Sequence, residues 1–195
     1  ALRALMAGLA DGEDLHTALR LIAAPAVLTA AIIRLRAGQV AIAPDPALGH
    51  AADFMRMLRG QCVPAHDVSA LERYLVTVAD HGLNASTFAA RVVASTRAGL
   101  VSAVIAALSA LKGPLHGGAP GPVLDMLDAI GTADNVVPWL EQALERGERL
   151  MGFGHRIYRV RDPRADALRE SLQLLAAARG APHASRKSRR SQGRR

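Results

Sequence analysis

An all-helical fold follows from three features of this chain. Half of its residues are hydrophobic while only 3% are aromatic. The apolar content is thus dominated by Ala and Leu, which head the helix-propensity scale. No segment alternates apolar and polar residues for long, and β-branched residues never gather in strand-length runs bounded by turns. Helix caps and stops, by contrast, recur along the whole length.

The elements can be justified in order. Ala1 already lies in a helical pattern, so the start reads as cut into an element. Asp14–Arg36 is the first long helix, with Asp11 or Asp14 as cap and Gly38 as stop. Pro25 should split or kink it, because proline lacks the amide donor and crowds the preceding turn. Asp45 is placed to cap a helix with Pro46 at its first position, running to Arg59. Ser69 and Glu72 have the spacing of a capping box for a helix over Ser69–Ala79. Asn84-Ala85-Ser86-Thr87 punctuates before a long apolar pattern, Phe88–Leu111, bent near Gly99. Gly121-Pro122 opens a helix that ends at Gly131. Asn135 precedes Val136–Arg146, which Gly147 closes. Asp162-Pro163 starts a last helix reaching Ala178, with aspartate as cap and proline in the first turn.

Charge and composition restrict the function classes. The net charge is +7, but Arg179–Arg195 holds seven Lys/Arg and no acid, and the body balances at zero. That tail has almost no apolar residue and is expected to be disordered. Its charge could attract nucleic acid non-specifically, yet no aromatic interleaves it and no binding motif accompanies it. No specific nucleic-acid partner is expected. The single cysteine, Cys62, forbids an internal disulfide and fits a reducing compartment. The charge-free apolar runs Leu21–Ile33 and Ala98–Leu111 are shorter than the roughly 20 residues a bilayer needs. With no signal-peptide pattern, a cytoplasmic protein without a membrane span is expected.

Two histidines stand between glycines: His116 in Gly113-Pro114-Leu115-His116-Gly117-Gly118, and His155 in Met151-Gly152-Phe153-Gly154-His155-Arg156. Glycine permits sharp turns and close approach of a ligand, and imidazole exchanges protons near neutral pH. Two such segments suggest one site built from two loops. Gly117, Gly118 and the following helix could direct free amides at an anion. A capping or packing histidine is the plain alternative for each. Arg156, Arg159, Arg161 and Arg164 follow His155 closely and suit carboxylates or phosphates, or else form a solvated face. His81 by itself reads as structural. No metal-ligand spacing, P-loop or complete dinucleotide fingerprint is present, so no metal is expected.

Ala79-Asp80-His81 with Asn84-Ala85-Ser86-Thr87-Phe88, Leu111-Lys112-Gly113-Pro114-Leu115-His116-Gly117-Gly118-Ala119, Met151-Gly152-Phe153-Gly154-His155-Arg156-Ile157-Tyr158 and Asp162-Pro163-Arg164-Ala165 together resemble the bacterial citrate synthases. The resemblance runs in order from near Ala1 to about Ala178. It implies an all-α, two-domain homodimer condensing acetyl-CoA with oxaloacetate to citrate and CoA. No cofactor is held permanently, since the CoA thioester is a co-substrate. Residues 1–115 would be part of the large domain, 116–178 part of the small lid domain, and 179–195 a non-native tail.

By the same resemblance, His116 stabilises the enol of acetyl-CoA, and His155 protonates the oxaloacetate carbonyl. His81, Arg164 and, as a weaker match, Asn84 contact oxaloacetate. Gly152 and Gly154 meet the CoA adenine, and Arg159 lies near its phosphates. There are departures. The family's general-base aspartate falls several dozen residues beyond the second histidine, and only 40 residues follow His155 here. Pro120 stands where an asparagine is usual. The resemblance therefore implies a polypeptide missing parts at both ends, with impaired turnover. The nearest enzymatic alternative is 2-methylcitrate synthase, which uses propionyl-CoA. A non-catalytic paralogue that binds CoA or oxaloacetate is another.

Overall fold

The computed structural model describes residues 1–80, 82–118, 120–148, 150, 152 and 162–180. Every regular element among them is helical, in agreement with the composition. In chain order they are α1 (Leu2–Ala7), α2 (Leu15–Arg36), α3 (His50–Arg59), α4 (Ala65–Thr77), α5 (Ala85–Ser95), α6 (Leu100–Leu111), α7 (Pro120–Ile130), a 3₁₀ turn (Ala133–Asn135), α8 (Val136–Glu145) and α9 (Pro163–Ala178).

Where a cap lies next to its own helix, the boundary falls where the sequence places it. Asp14 accepts from the Thr17 amide at 2.8 Å and opens α2. Asp162 accepts from the Arg164 amide at 2.9 Å, with Pro163 in the first turn of α9. Such a cap satisfies an amide that has no partner inside the helix.

Four expectations are corrected. Pro25 does not split α2, which runs unbroken for 22 residues; the proline leaves the Leu21 carbonyl without its usual donor, and packing on both sides keeps the helix whole. This makes α2 long and apolar enough, by length and composition, to cross a membrane. Here it packs against α1, α3 and α6, with Thr17, Leu21, Ala24 and Ala30 buried. Asp45 does not start α3. Its carboxylate accepts from the Ala47 amide at 3.0 Å, while its own amide donates to the Asp53 carboxylate at 3.1 Å. That local turn competes with a cap, and the helix begins at His50 after Gly49.

Ser69 lies inside α4, which starts four residues earlier behind Pro64. Proline presets the backbone at that entry, and Asp67 supplies an acidic residue to the first turn, where the helix dipole favours it. The long pattern to Leu111 is not one bent helix but two. Arg97 at φ 58° and Gly99 at φ 90° turn the chain between α5 and α6, a conformation no helix contains.

The α5–α6 hairpin is the most intimate helix pairing, and α6 also packs on α1 and α2. Met6, Leu21 and Val101 form the buried centre there, surrounded by Leu2, Leu9, Leu28, Leu100, Val104, Ile105 and Leu108. A second pairing joins α4 and α9. The two run antiparallel. Arg179, after the end of α9, holds Asp67 in the first turn of α4 at 2.6 Å, while Ala167 near the start of α9 faces Val76 and Thr77 at the end of α4.

Candidate functional site

The turn at 112–118 closes back on the end of α6. The Lys112 amide donates to Leu108, His116 and Gly118 both donate to the Gly113 carbonyl, and Gly117 donates to Leu111. The Gly117 and Gly118 amides are thus engaged within the turn and are not free to meet an anion, contrary to the sequence expectation. Their glycine character has a local cause as well. A Cβ on Gly117 would lie 2.5 Å from the Leu111 carbonyl oxygen, and one on Gly118 would lie 2.9 Å from Pro114 Cα. The chain approaches itself too closely there for any side chain.

This tight turn presents His116, half-buried, to the start of α5. Its Nε2 lies 2.9 Å from Ser86 Oγ. The Ser86 hydroxyl donates at 2.7 Å to Asn84 Oδ1, which also accepts from the Ser86 and Thr87 amides at 3.0 Å each. Those two amides identify the accepting atom of Asn84 as oxygen. The single Ser86 proton is directed to that oxygen, so Ser86 Oγ accepts from His116 Nε2–H. A neutral ring in this arrangement leaves Nδ1 as an acceptor. For the ring to donate from Nδ1 to a developing oxyanion it must be cationic, or Ser86 must turn its proton toward Nε2.

Asn84, expected as a substrate contact, is therefore the cap of α5 and the anchor of the His116 chain. Ser86 was not among the expected site residues. Its position two residues after a capping asparagine reads from sequence as helix punctuation, and nothing local points to a histidine 30 residues away.

Arg164 lies in the first turn of α9. Because α4 and α9 are antiparallel, that turn is at the end of the pair where α4 gives way to the Asp80–Asn84 connection. The Arg164 guanidinium grips the Asp162 carboxylate from Nε at 3.1 Å and from its terminal nitrogen at 2.7 Å. An incoming carboxylate would have to compete with Asp162 for this fork. Gly152 adopts φ 80°, with room for a Cβ only against Val123 at 3.4 Å. His81, Gly154, His155 and Arg159 lie outside the described residues, so the two-loop site is described on the His116 side alone. Among the described residues no group of three His, Cys, Asp or Glu is disposed to hold a metal ion.

A cavity of about 380 Å³ opens between α4 and α9, lined by Ser69, Glu72, Arg73, Val76, Thr77, Ala167 and Glu170. It is a wide groove with both signs of charge and contains neither His116 nor Arg164, so it does not define the chemistry.

An imidazole held by a directed hydrogen-bond chain on an all-helical scaffold has the chemistry needed for proton exchange and oxyanion handling. Comparison with known proteins supplies the family. Residues 2–187 match the family described as citrate synthase, C-terminal domain, and the chain belongs to it.

Citrate synthase from Haloferax volcanii is 43% identical over 179 residues, covering 88% of this chain and 47% of that protein. A 2-methylcitrate synthase from Mycobacterium tuberculosis is 43% identical over 162 residues, covering 83% of this chain and 41% of that protein. Among solved structures, the ternary complex of citrate synthase from Thermoplasma acidophilum with carboxymethyl coenzyme A and oxaloacetate is similar with a TM-score of 0.71. It is 29% identical and covers 91% of this chain and 52% of that one. The chain spans less than half the length of these two curated relatives.

Proposed function

We propose that this chain carries part of the machinery for condensing acetyl-CoA with oxaloacetate to citrate and CoA, as an acyltransferase. The observation that supports this most directly is the Asn84–Ser86–His116 chain, which holds the imidazole in a defined orientation at the open end of the α5–α6 hairpin, where α5 begins and α6 ends. In this reading Ser86 turns its hydroxyl proton to His116 Nε2, and His116 Nδ1–H donates to the thioester oxygen as a general-base carboxylate takes a proton from the acetyl methyl, spreading the enolate charge. His155 delivers a proton to the oxaloacetate carbonyl oxygen as the carbon–carbon bond forms. Water then releases CoA from the citryl thioester.

His81 and Arg164 bind oxaloacetate, Arg164 by exchanging Asp162 for a substrate carboxylate. Asn84 acts mainly through its cap. Gly152, Gly154 and Arg159 receive the CoA nucleotide, which enters and leaves with each turnover. Residues 1–115 then belong to a large domain and 116–178 to a lid, in a cytoplasmic homodimer.

The 195-residue polypeptide by itself is proposed to turn over poorly. Asp162 is engaged with Arg164, and no carboxylate of α9 matches the family's general base. A missing acid–base group typically costs about 10²–10⁴ in rate. Thiol release measured beside the Haloferax volcanii enzyme tests this, and equal rates would refute it.

A second reading, condensation of propionyl-CoA to 2-methylcitrate, is favoured by the Mycobacterium tuberculosis relative. Residual thiol release faster with propionyl-CoA than with acetyl-CoA would select it. Ligand-induced thermal stabilisation with no release from either thioester would favour a non-catalytic binding protein.

A further inference from the structure

We propose that Asp11 is a long-range positioning residue for His116, acting by clamping the far end of the α5–α6 hairpin so that the Ser86–His116 hydrogen bond forms at the near end. The proposal rests on the reading of His116 as a functional imidazole.

The α6 helix has no side chain of its own to begin on, because its N-cap is Gly99. The missing cap arrives from about 90 residues earlier in the chain. Asp11 accepts from the Val101 amide at 2.8 Å, from the Ser102 amide at 3.4 Å and from the Ser102 hydroxyl at 3.2 Å. The Gly12 carbonyl takes the Leu100 amide at 3.1 Å. Two residues on, Glu13 holds Arg97 at 2.7 Å, at the one non-glycine residue with positive φ among those described. A Cβ on Gly99 would overlap the Asp11 carboxylate, so the glycine and the carboxylate occupy one another's space. Hydrogen bonds from Val101, Gly12 and Ser102 hold the Asp11 carboxyl below the usual aspartate range, as they do when the charged form is the one bound.

The consequence reaches His116 because α6 is a short rigid rod. Twelve residues span about 18 Å at the helical rise, and the His116 turn is hydrogen-bonded to the last residues of that rod. Its neighbour α5 carries Ser86 in its first turn. Any slide or rotation of α6 along α5 therefore changes the Ser86–His116 separation directly. Hydrogen bonds weaken over a few tenths of an ångström and with misalignment. The Asp11 clasp fixes that slide at the end opposite the imidazole.

The test is the tautomer ratio of the His116 ring, read from its ¹⁵N shifts in the 195-residue chain at pH 8. The parent is expected to favour Nε2–H, and Ser86→Ala to lower that preference. Asp11→Ala is expected to lower it by about fivefold, a change on the scale of one hydrogen bond. Asp11→Asn, which keeps an accepting oxygen, should fall between parent and alanine variant. A parent-like ratio in Asp11→Ala alongside a lowered ratio in Ser86→Ala would overturn the proposal. A ratio unmoved in both would overturn the Ser86–His116 contact and the proposal with it. If Asp11→Ala fails to fold by far-ultraviolet dichroism, Asp11→Asn carries the comparison, and a parent-like ratio there is equally fatal. The readout is the ring itself, so failure of the proposed condensation chemistry would appear separately, in thiol release.

Discussion

Replacing Asn84 by alanine separates two roles for this residue, helix cap and substrate contact. Asn84 Oδ1 receives three donors, the Ser86 and Thr87 amides at 3.0 Å and the Ser86 hydroxyl at 2.7 Å. Loss of a capping side chain costs about 1 kcal/mol, within a range of roughly 0.5–2. The Ser86 hydroxyl also loses its acceptor, adding about 1 kcal/mol in a partly buried setting. A total of about 2 kcal/mol should lower the melting temperature by about 4–8 °C for a chain of this size, given two-state unfolding. Far-ultraviolet dichroism at pH 7 without ligand is the assay. Asn84→Asp should retain most of the stability, since aspartate caps as well as asparagine. Melting of Asn84→Ala within a degree of the parent would show that the cap contributes nothing. An aspartate variant as unstable as the alanine one would show that the loss does not come from the cap.

Acid should destabilise the fold through Asp11 and Asp14. Their carboxyls are held below the usual value by hydrogen bonds, Asp11 chiefly from the Val101 amide and Asp14 chiefly from the Thr17 hydroxyl and amide. A depressed folded-state value contributes stability above the unfolded value and loses it as pH falls through the folded one. The melting temperature should thus hold from pH 7 to about 5 and fall below about pH 4. Asp11→Asn should flatten that acid limb, and an unchanged slope would contradict the assignment. Gly38 and Gly99 both have positive φ, but Gly99 sits at ψ 154°, a region essentially confined to glycine, and it alone of the two abuts a carboxylate. Gly38→Ala should cost about 1 kcal/mol of backbone strain. Gly99→Ala should cost about 2–4 kcal/mol by displacing the Asp11 clasp as well, and equal melting temperatures for the two would count against the clasp.

The parts of the fold legible in the sequence are those determined by neighbours in the chain. Asp14 and Asp162 cap the helices they precede, and the Ala- and Leu-rich composition sets the all-helical class. Asp45 and Ser69 show the limit, because each is chemically able to cap yet a turn or an earlier proline takes precedence. Asp11 is the clearest case. From sequence it is a candidate cap for α2, but in space it caps α6, and only tertiary packing brings the two together. The candidate site follows the same rule. His116 and Arg164 stand out as candidates from their glycine and proline settings. Ser86 is not, because its partner lies across a helix hairpin, and the engagement of the Gly117 and Gly118 amides depends on how the turn folds onto α6.

The claim that this chain carries an oxaloacetate-binding half-site is tested most directly by thermal unfolding with and without oxaloacetate, for the parent and for Arg164→Ala. A ligand at tenfold its dissociation constant adds about 1.4 kcal/mol, or about 3–6 °C here. A rise of that order is expected in the parent and its loss in Arg164→Ala, with both proteins equally helical. No rise in the parent, or an undiminished rise in the variant, would contradict it.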